Sequence, residues 1–289
     1  MRRLLTVIAA VALFLSPSLT GELFAQGGGG RGRGNAEPPP PAPRTPDGKI
    51  TFSGEDGQVG IWTGAFGGFG TLSAPTPPGE QGGRGGRGGG DFTYDDVPLQ
   101  DWALALYVDR QTHELEPHAR CKASGIARQH QTPYGVEFVE FTDLKRIYLF
   151  DNGGPHTFRT IYLDGRNHPA DEDLERNGYG HSIGWWEGDT LVVDTIGFDE
   201  SFWLDRRGLP HTDQLRTLER FTRTNFRTIE YEVTFEDPGA LTAPWTGSFN
   251  LSFSPGTELF EYICQQANYA HELMIGDQES VDRTATIVP

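Results

Sequence analysis

Cysteine and long apolar runs are what this 289-residue chain has least of. Neither Cys121 nor Cys264 has a second thiol close by in the chain, which argues against a cysteine-built metal centre. The one prominent apolar run, Leu4 to Leu15, has 12 residues, short of the roughly 20 that span a bilayer as a helix. No Gly-x-Ser-x-Gly elbow is present, and no phosphate-cradling or dinucleotide glycine fingerprint follows a strand. Nucleophilic-serine and nucleotide-binding readings therefore have no anchor. Positive charge is scarce too, with 24 basic residues against 40 acidic ones. That balance repels nucleic acid and anionic membrane and favours solubility or cationic partners. The lack of any internal repeat counts against a propeller.

What is present begins with an address. Arg2 and Arg3 precede the apolar run, Pro17 ends it, and Leu23-Phe24-Ala25 offers a small residue for cleavage before Gln26. This layout predicts a secretory signal peptide over 1–25, hence a periplasmic or secreted protein with no membrane anchor after cleavage. The mature chain would keep 22 basic and 39 acidic residues, since two Arg and one Glu leave with the signal, for a net charge of −17. In an oxidising compartment Cys121 and Cys264 are expected to pair, with separate burial of two thiols as the alternative. Residues 26–50 read as a Gly/Pro-rich linker and 51–289 as a single domain carrying a low-complexity Gly/Arg loop at 79–90.

The domain reads as mainly β. Pro98 to Gln111 has the spacing of one helix, with Trp102, Leu106 and Tyr107 on a shared face. From Val136 the pattern becomes strands: 136–141, 146–150, 158–163, 181–186, 190–196, 215–223, 228–235, 249–253 and 258–264. Short connections without crossover helices predict antiparallel pairing. A long meander must curl to hide its edges, so a barrel-like or strongly curved antiparallel sheet with one N-terminal helix is expected, and a two-sheet sandwich is the alternative.

The densest polar and aromatic stretch runs from Arg159 to Phe221. His181 is the candidate general acid or base, with Asp194 or Glu219 to orient it and Arg166 to hold an anionic group. Alternation places His181, Ile183 and Trp185 on one face, inside the barrel if that face is the inner one. Arg220 and Arg166 are candidate partners for carboxylates that interrupt apolar strands, because an unpaired buried charge is costly. Arg166, His168, Trp185, Trp203 and His211 are candidate ligand-binding residues. Trp185, Trp186, Trp203 and Phe198 would supply an aromatic pocket for a small-molecule ligand. His168, His181 and His211 are too far apart in sequence for a helical metal motif, and the acidic run at Asp171 lacks calcium-loop spacing, so neither metal nor cofactor is expected. Two functions follow: a barrel that binds a small ligand, or an extracytoplasmic lyase, isomerase or hydrolase working by His and carboxylate acid–base groups.

Taken in order, Ile161-Tyr162-Leu163-Asp164-Gly165-Arg166-Asn167-His168-Pro169, Gly180-His181-Ser182-Ile183-Gly184, Trp186 to Thr195 with Gly197-Phe198, and Glu219-Arg220-Phe221 resemble a widespread family of uncharacterised exported bacterial proteins. Pro46 to Lys49, Trp102 to Leu106, Pro210-His211 and Pro244 to Thr246 extend the likeness over nearly all of the mature chain. The resemblance implies export and domain boundaries; it implies no established activity. The Gly/Arg tract at 79–90 looks like an insertion relative to that pattern, and Cys264-Gln265-Gln266 replaces a more acidic continuation.

Overall fold

The computed structural model describes residues 38–64, 97–114 and 116–264. The expected signal peptide over 1–25 and the Gly/Arg tract lie outside them. Nine strands close into one barrel: β1 (Gly60–Thr63), β2 (Val136–Phe141), β3 (Arg146–Asp151), β4 (Phe158–Tyr162), β5 (His181–Glu187), β6 (Thr190–Ile196), β7 (Arg216–Asn225), β8 (Thr228–Glu236) and β9 (Trp245–Pro255). Each strand pairs with its neighbour in sequence, and β9 returns to β1. The barrel is mainly β and mostly antiparallel, as the pattern of the chain predicts. Two helices accompany it, α1 (Asp101–His113) and the five-residue α2 (Ile126–His130). No described helix is long and apolar enough to cross a membrane.

Three local features differ from expectation. The segment 258–264 is not a strand, because β1 occupies the edge of β9 that it would need. Instead it is an extended tail ending at the Cys121–Cys264 disulfide. The β4–β5 pair is parallel, with only Ile161↔Ser182 and Tyr162↔Ile183 in register. Residues 163–180 make that crossover without a regular helix beyond a 3-10 turn at Asp171–Asp173. In α1 the buried residues are Ala103 and Tyr107, while Trp102 is 46% exposed and donates from Nε1 to the Gly239 carbonyl at 2.9 Å.

Alternation sorts the strands. Phe138, Ile147, Leu149, Ile161, Leu191, Val193, Phe221, Tyr231, Val233, Phe249 and Leu251 belong to one buried cluster inside the barrel. Phe52 plugs one region of it, stacked at 4.5 Å on Phe138 and 5.8 Å from Trp186. At α2, His130 enters the lumen with its ring centroid 4.9 Å from that of Tyr231 and 5.5 Å from that of Phe221. The lumen is thus packed with side chains, as small barrels usually are.

One ion pair lies within this interior. Arg159 on β4 and Glu219 on β7 are 1% and 0% exposed, and the guanidinium grips the carboxylate with both Nη atoms. Arg159 also donates from Nε to Ser182 at 2.9 Å and from Nη2 to Thr195 at 2.8 Å, while the Tyr231 hydroxyl donates to Glu219 at 2.9 Å. A buried pair of this kind survives only because its remaining lone pairs and protons are satisfied. Removing one partner leaves an uncompensated charge. Arg159→Met is therefore expected to cost about 3–5 kcal/mol in urea unfolding, and Arg159→Met/Glu219→Leu clearly less than the single variant. A single variant within about 0.5 kcal/mol of wild type would show that the pair does not hold the barrel.

Candidate active site

His181, Ile183 and Trp185 point out of the barrel, and Ser182, Gly184 and Trp186 point in. The reason lies in register: Ser182 meets the buried Thr195, whereas Ile183 meets Asp194. The same parity separates the two carboxylates. Asp194 pairs with Leu218 on the outer face, and Glu219 lies one residue further along inside the lumen. His181, Asp194 and Glu219 do not converge on one pocket.

On the outside, however, the crossover 163–180 folds back over β5 and β6 and brings a third group between His181 and Asp194. Asn177 bridges to Phe198 as a short parallel contact, with its amide bonded to the Gly197 carbonyl at 3.1 Å. Leu174 sits directly on Gly197, where φ is +80° and a Cβ would come within 2.9 Å of the Leu174 side chain. Glycine there lets the crossover lie flat, and His168 is carried onto the strands. Its Nδ1 is 2.8 Å from Nδ1 of His181, and its Nε2 is 3.5 Å from Oδ2 of Asp194. Asp194 is itself held by Arg216, which donates from Nε at 2.9 Å and from Nη2 at 2.8 Å. The Asp194–His168 contact is too long for a full hydrogen bond, but a carboxylate at that distance favours a proton on Nε2 of His168. His168 Nδ1 then accepts from His181 Nδ1–H, which leaves the lone pair of His181 on Nε2.

Around His181 the wall is cationic and aromatic. Tyr162 stacks on it with ring centroids 5.3 Å apart, and the Arg166 guanidinium lies 3.8 Å above the Tyr162 ring. Arg166 is tied along its Nε–Nη2 edge to Asp164. Tyr162 and His181 border an open cleft of about 360 Å³, lined among others by Phe158, Pro169 and Asn177. Burial lowers the pKa of His181 from its ordinary value, and the neighbouring His168 and Arg166 push it further down. Burial also lowers that of His168, partly opposed by Asp194. Both rings are therefore neutral bases at physiological pH.

The other candidates fall elsewhere. Trp185 is 41% exposed and donates to Glu187 at 3.0 Å. Trp203 is buried under Arg110, whose guanidinium is 5.0 Å from its ring. His211 is buried between the Phe202 and Thr212 carbonyls, each 3.1 Å from a ring nitrogen. Trp186 faces Phe52 inside the lumen, so the four candidate pocket aromatics do not share one surface. Nor do the inferred partners of the carboxylates hold: Arg220 bonds Glu187 and Arg166 bonds Asp164, because both point outward while Glu219 points in. Among the described residues no group of three His, Cys, Asp or Glu side chains is arranged to hold a metal.

A second polar cluster escaped sequence reasoning. The segment from Ser124 to Thr132 is wholly buried although it carries Arg128, Gln129, His130 and Gln131. Beside it, the Tyr179 hydroxyl donates to Asp151 at 2.7 Å, and His118 Nδ1 meets the Ser124 hydroxyl at 2.7 Å. Burial pushes the Asp151 carboxyl up to about 7, despite hydrogen bonds from Tyr179 and Ser124 that oppose the shift. The only legible signal was the density of polar residues in Arg128-Gln129-His130-Gln131, which looks like any solvated loop.

Two outcomes test these assignments. Long-range nitrogen–proton NMR correlation should show His168 protonated at Nε2 and His181 at Nδ1; the opposite tautomer on His181 would break the relay. For Asp151, a carboxyl raised in the fold binds its proton more tightly there than in the unfolded chain. Its contribution is present below the unfolded value and is lost as pH rises through about 7. Asp151→Asn should therefore gain stability relative to wild type as pH goes from about 5 to about 8 in urea titrations, and a constant difference would remove the buried-acid assignment.

Comparison with known proteins gives no match: no protein-family model, no curated protein and no solved structure corresponds to the chain.

Proposed function

We propose that the chain is exported and that its outer cleft is an acid–base active site acting on an organic acid. The observation that carries this reading is the series Asp194–His168–His181, which ends on a ring nitrogen beside an open cleft. A carboxylate behind one imidazole and that imidazole behind a second fixes the tautomer of the terminal ring before substrate arrives. The depressed pKa of His181 keeps the base available below neutral pH as well as above it. An anionic group on the substrate would find Arg166 over the ring of Tyr162, and that ring would flank the reacting carbon. Removal of a proton next to a carboxylate, the first step of many lyase and isomerase reactions, suits this set. A binding-only role would use the same cleft without the proton transfer.

The test does not depend on which product forms. Hydroxy acids and sugar acids are incubated with the protein in deuterium oxide, and exchange of the proton next to the carboxylate is followed by NMR. His181→Gln should lower the exchange rate by about 10²–10⁴-fold. His168→Gln should lower it less and alter its pH profile, because that residue positions the base. Exchange that is equal in wild type and His181→Gln sinks the acid–base reading, and saturable binding without any exchange would leave the binding role.

A further inference from the structure

An antiparallel barrel wall that faces water should alternate apolar-in with polar-out. On β2, β3 and β4 it does not. Phe141, Tyr148, Phe150 and Phe158 all point outward, and their rings form a continuous strip with centroids 5.4 Å (Phe141–Tyr148), 5.9 Å (Tyr148–Phe158) and 5.8 Å (Phe150–Phe158) apart. Phe141 is 43% exposed and Phe158 is 55% exposed. Exposed apolar patches of this continuity mark interaction sites. Phe158 is also part of the cleft wall, so the strip runs directly into the acid–base site.

A cation stands where strip and cleft meet. Arg146 pairs in register with Phe141 on one side and Tyr162 on the other, and its guanidinium is 5.1 Å from the Tyr162 ring. The other guanidinium over Tyr162 is committed, Arg166 to Asp164. Arg146 has no carboxylate partner among the described residues, and its Nε is buried with no hydrogen-bond partner among them. A buried N–H without an acceptor costs roughly 1–3 kcal/mol, so such a group is normally matched by an anion or water.

We infer that the strip and Arg146 together recognise an extended acidic oligosaccharide, a uronic-acid chain, whose sugar rings lie on the aromatic side chains and whose carboxylate meets Arg146. The occupant must have apolar faces, polar edges and a negative charge, and must leave the cleft open to reaction. An apolar partner seated on the strip would leave Arg146 without an anion. The net charge of −16 opposes a polyanion at long range. Within a Debye length of about 8 Å at physiological salt, the local guanidinium decides. This inference rests on the acid–base reading for its chemistry: His181 Nε2 takes the proton next to the carboxylate, and the C–H electron pair becomes a carbon–carbon double bond. The adjacent C–O bond breaks toward oxygen, the departing oxygen takes a proton from water, and His181 returns its own to water.

Native gel electrophoresis of the full chain through gels containing polygalacturonate or alginate, against gels with a neutral cellulose ether, separates the two claims. Wild type and His181→Gln should both be retarded in the acidic gels. Arg146→Gln and the pair Tyr148→Ala/Phe158→Ala should each raise the apparent Kd at least tenfold, with Arg146→Lys intermediate and folding checked by circular dichroism. In solution, only chains with His181 should generate the ultraviolet absorbance of an unsaturated uronate. Absence of retardation in both acidic gels overturns the inference, and so does retardation unchanged in Arg146→Gln. Retardation with no absorbance change would sustain the ligand class and defeat the acid–base reading.

Discussion

The Arg159–Glu219 pair is the constraint on which the rest of the barrel depends. Its hydrogen bonds reach β4, β5, β6, β7 and β8, five consecutive strands tied from within. That reach matters most at β4–β5, where the backbone ladder itself is short. Arg159 spans that joint from the inside by bonding Ser182 on the far strand. Because a strand's side chains alternate, fixing the inner residues fixes the outer ones. Ser182 sits between His181 and Ile183, and Thr195 follows Asp194. The lumen is thus the rigid template, and the His181, His168 and Asp194 cluster is mounted on its back.

That division also explains where the acidic and basic groups settle. Inside, the Arg159–Glu219 pair is saturated and Arg223 is held by backbone carbonyls, while His130 is driven down to about 3 by burial and by Arg159. Outside, Arg216 chelates Asp194 at a half-wet surface. A carboxylate near an imidazole pair is useful as a base only where water can still reach one end. The outer face provides that, and the lumen could not.

Much of this was legible in the chain. The strands from Val136 to Phe253 follow from β-rich runs separated by turn residues, and curling follows from their number. His168, His181 and Asp194 were legible as residue types, and Arg166 as a nearby cation. What could not be read was which face is inner, because both faces of β6 are buried: Val192 and Asp194 on the outer side as well as Leu191 and Val193 in the core. With two buried faces, alternation no longer marks the inside. The partner of Glu219 was missed for the same reason, since Arg159 reads as a charge on an edge until β4 and β7 are placed across a lumen. The strand expected at 258–264 failed because local pattern cannot know that β1, far earlier in the chain, has claimed the edge.

Parity gives the crossover a further meaning. In a closed ring of strands, walking once around must return each strand to its own direction, so the number of antiparallel joints has to be even. With nine strands and nine joints, at least one must be parallel. A parallel joint cannot be made by a tight turn; the chain has to travel the length of the barrel before starting again. Here that obligatory return is 163–180, and it is the segment that lays His168 across the outer strands. An eight- or ten-stranded relative of the same meander would be free to use a hairpin at that joint, and it would then have nothing to stand between His181 and Asp194.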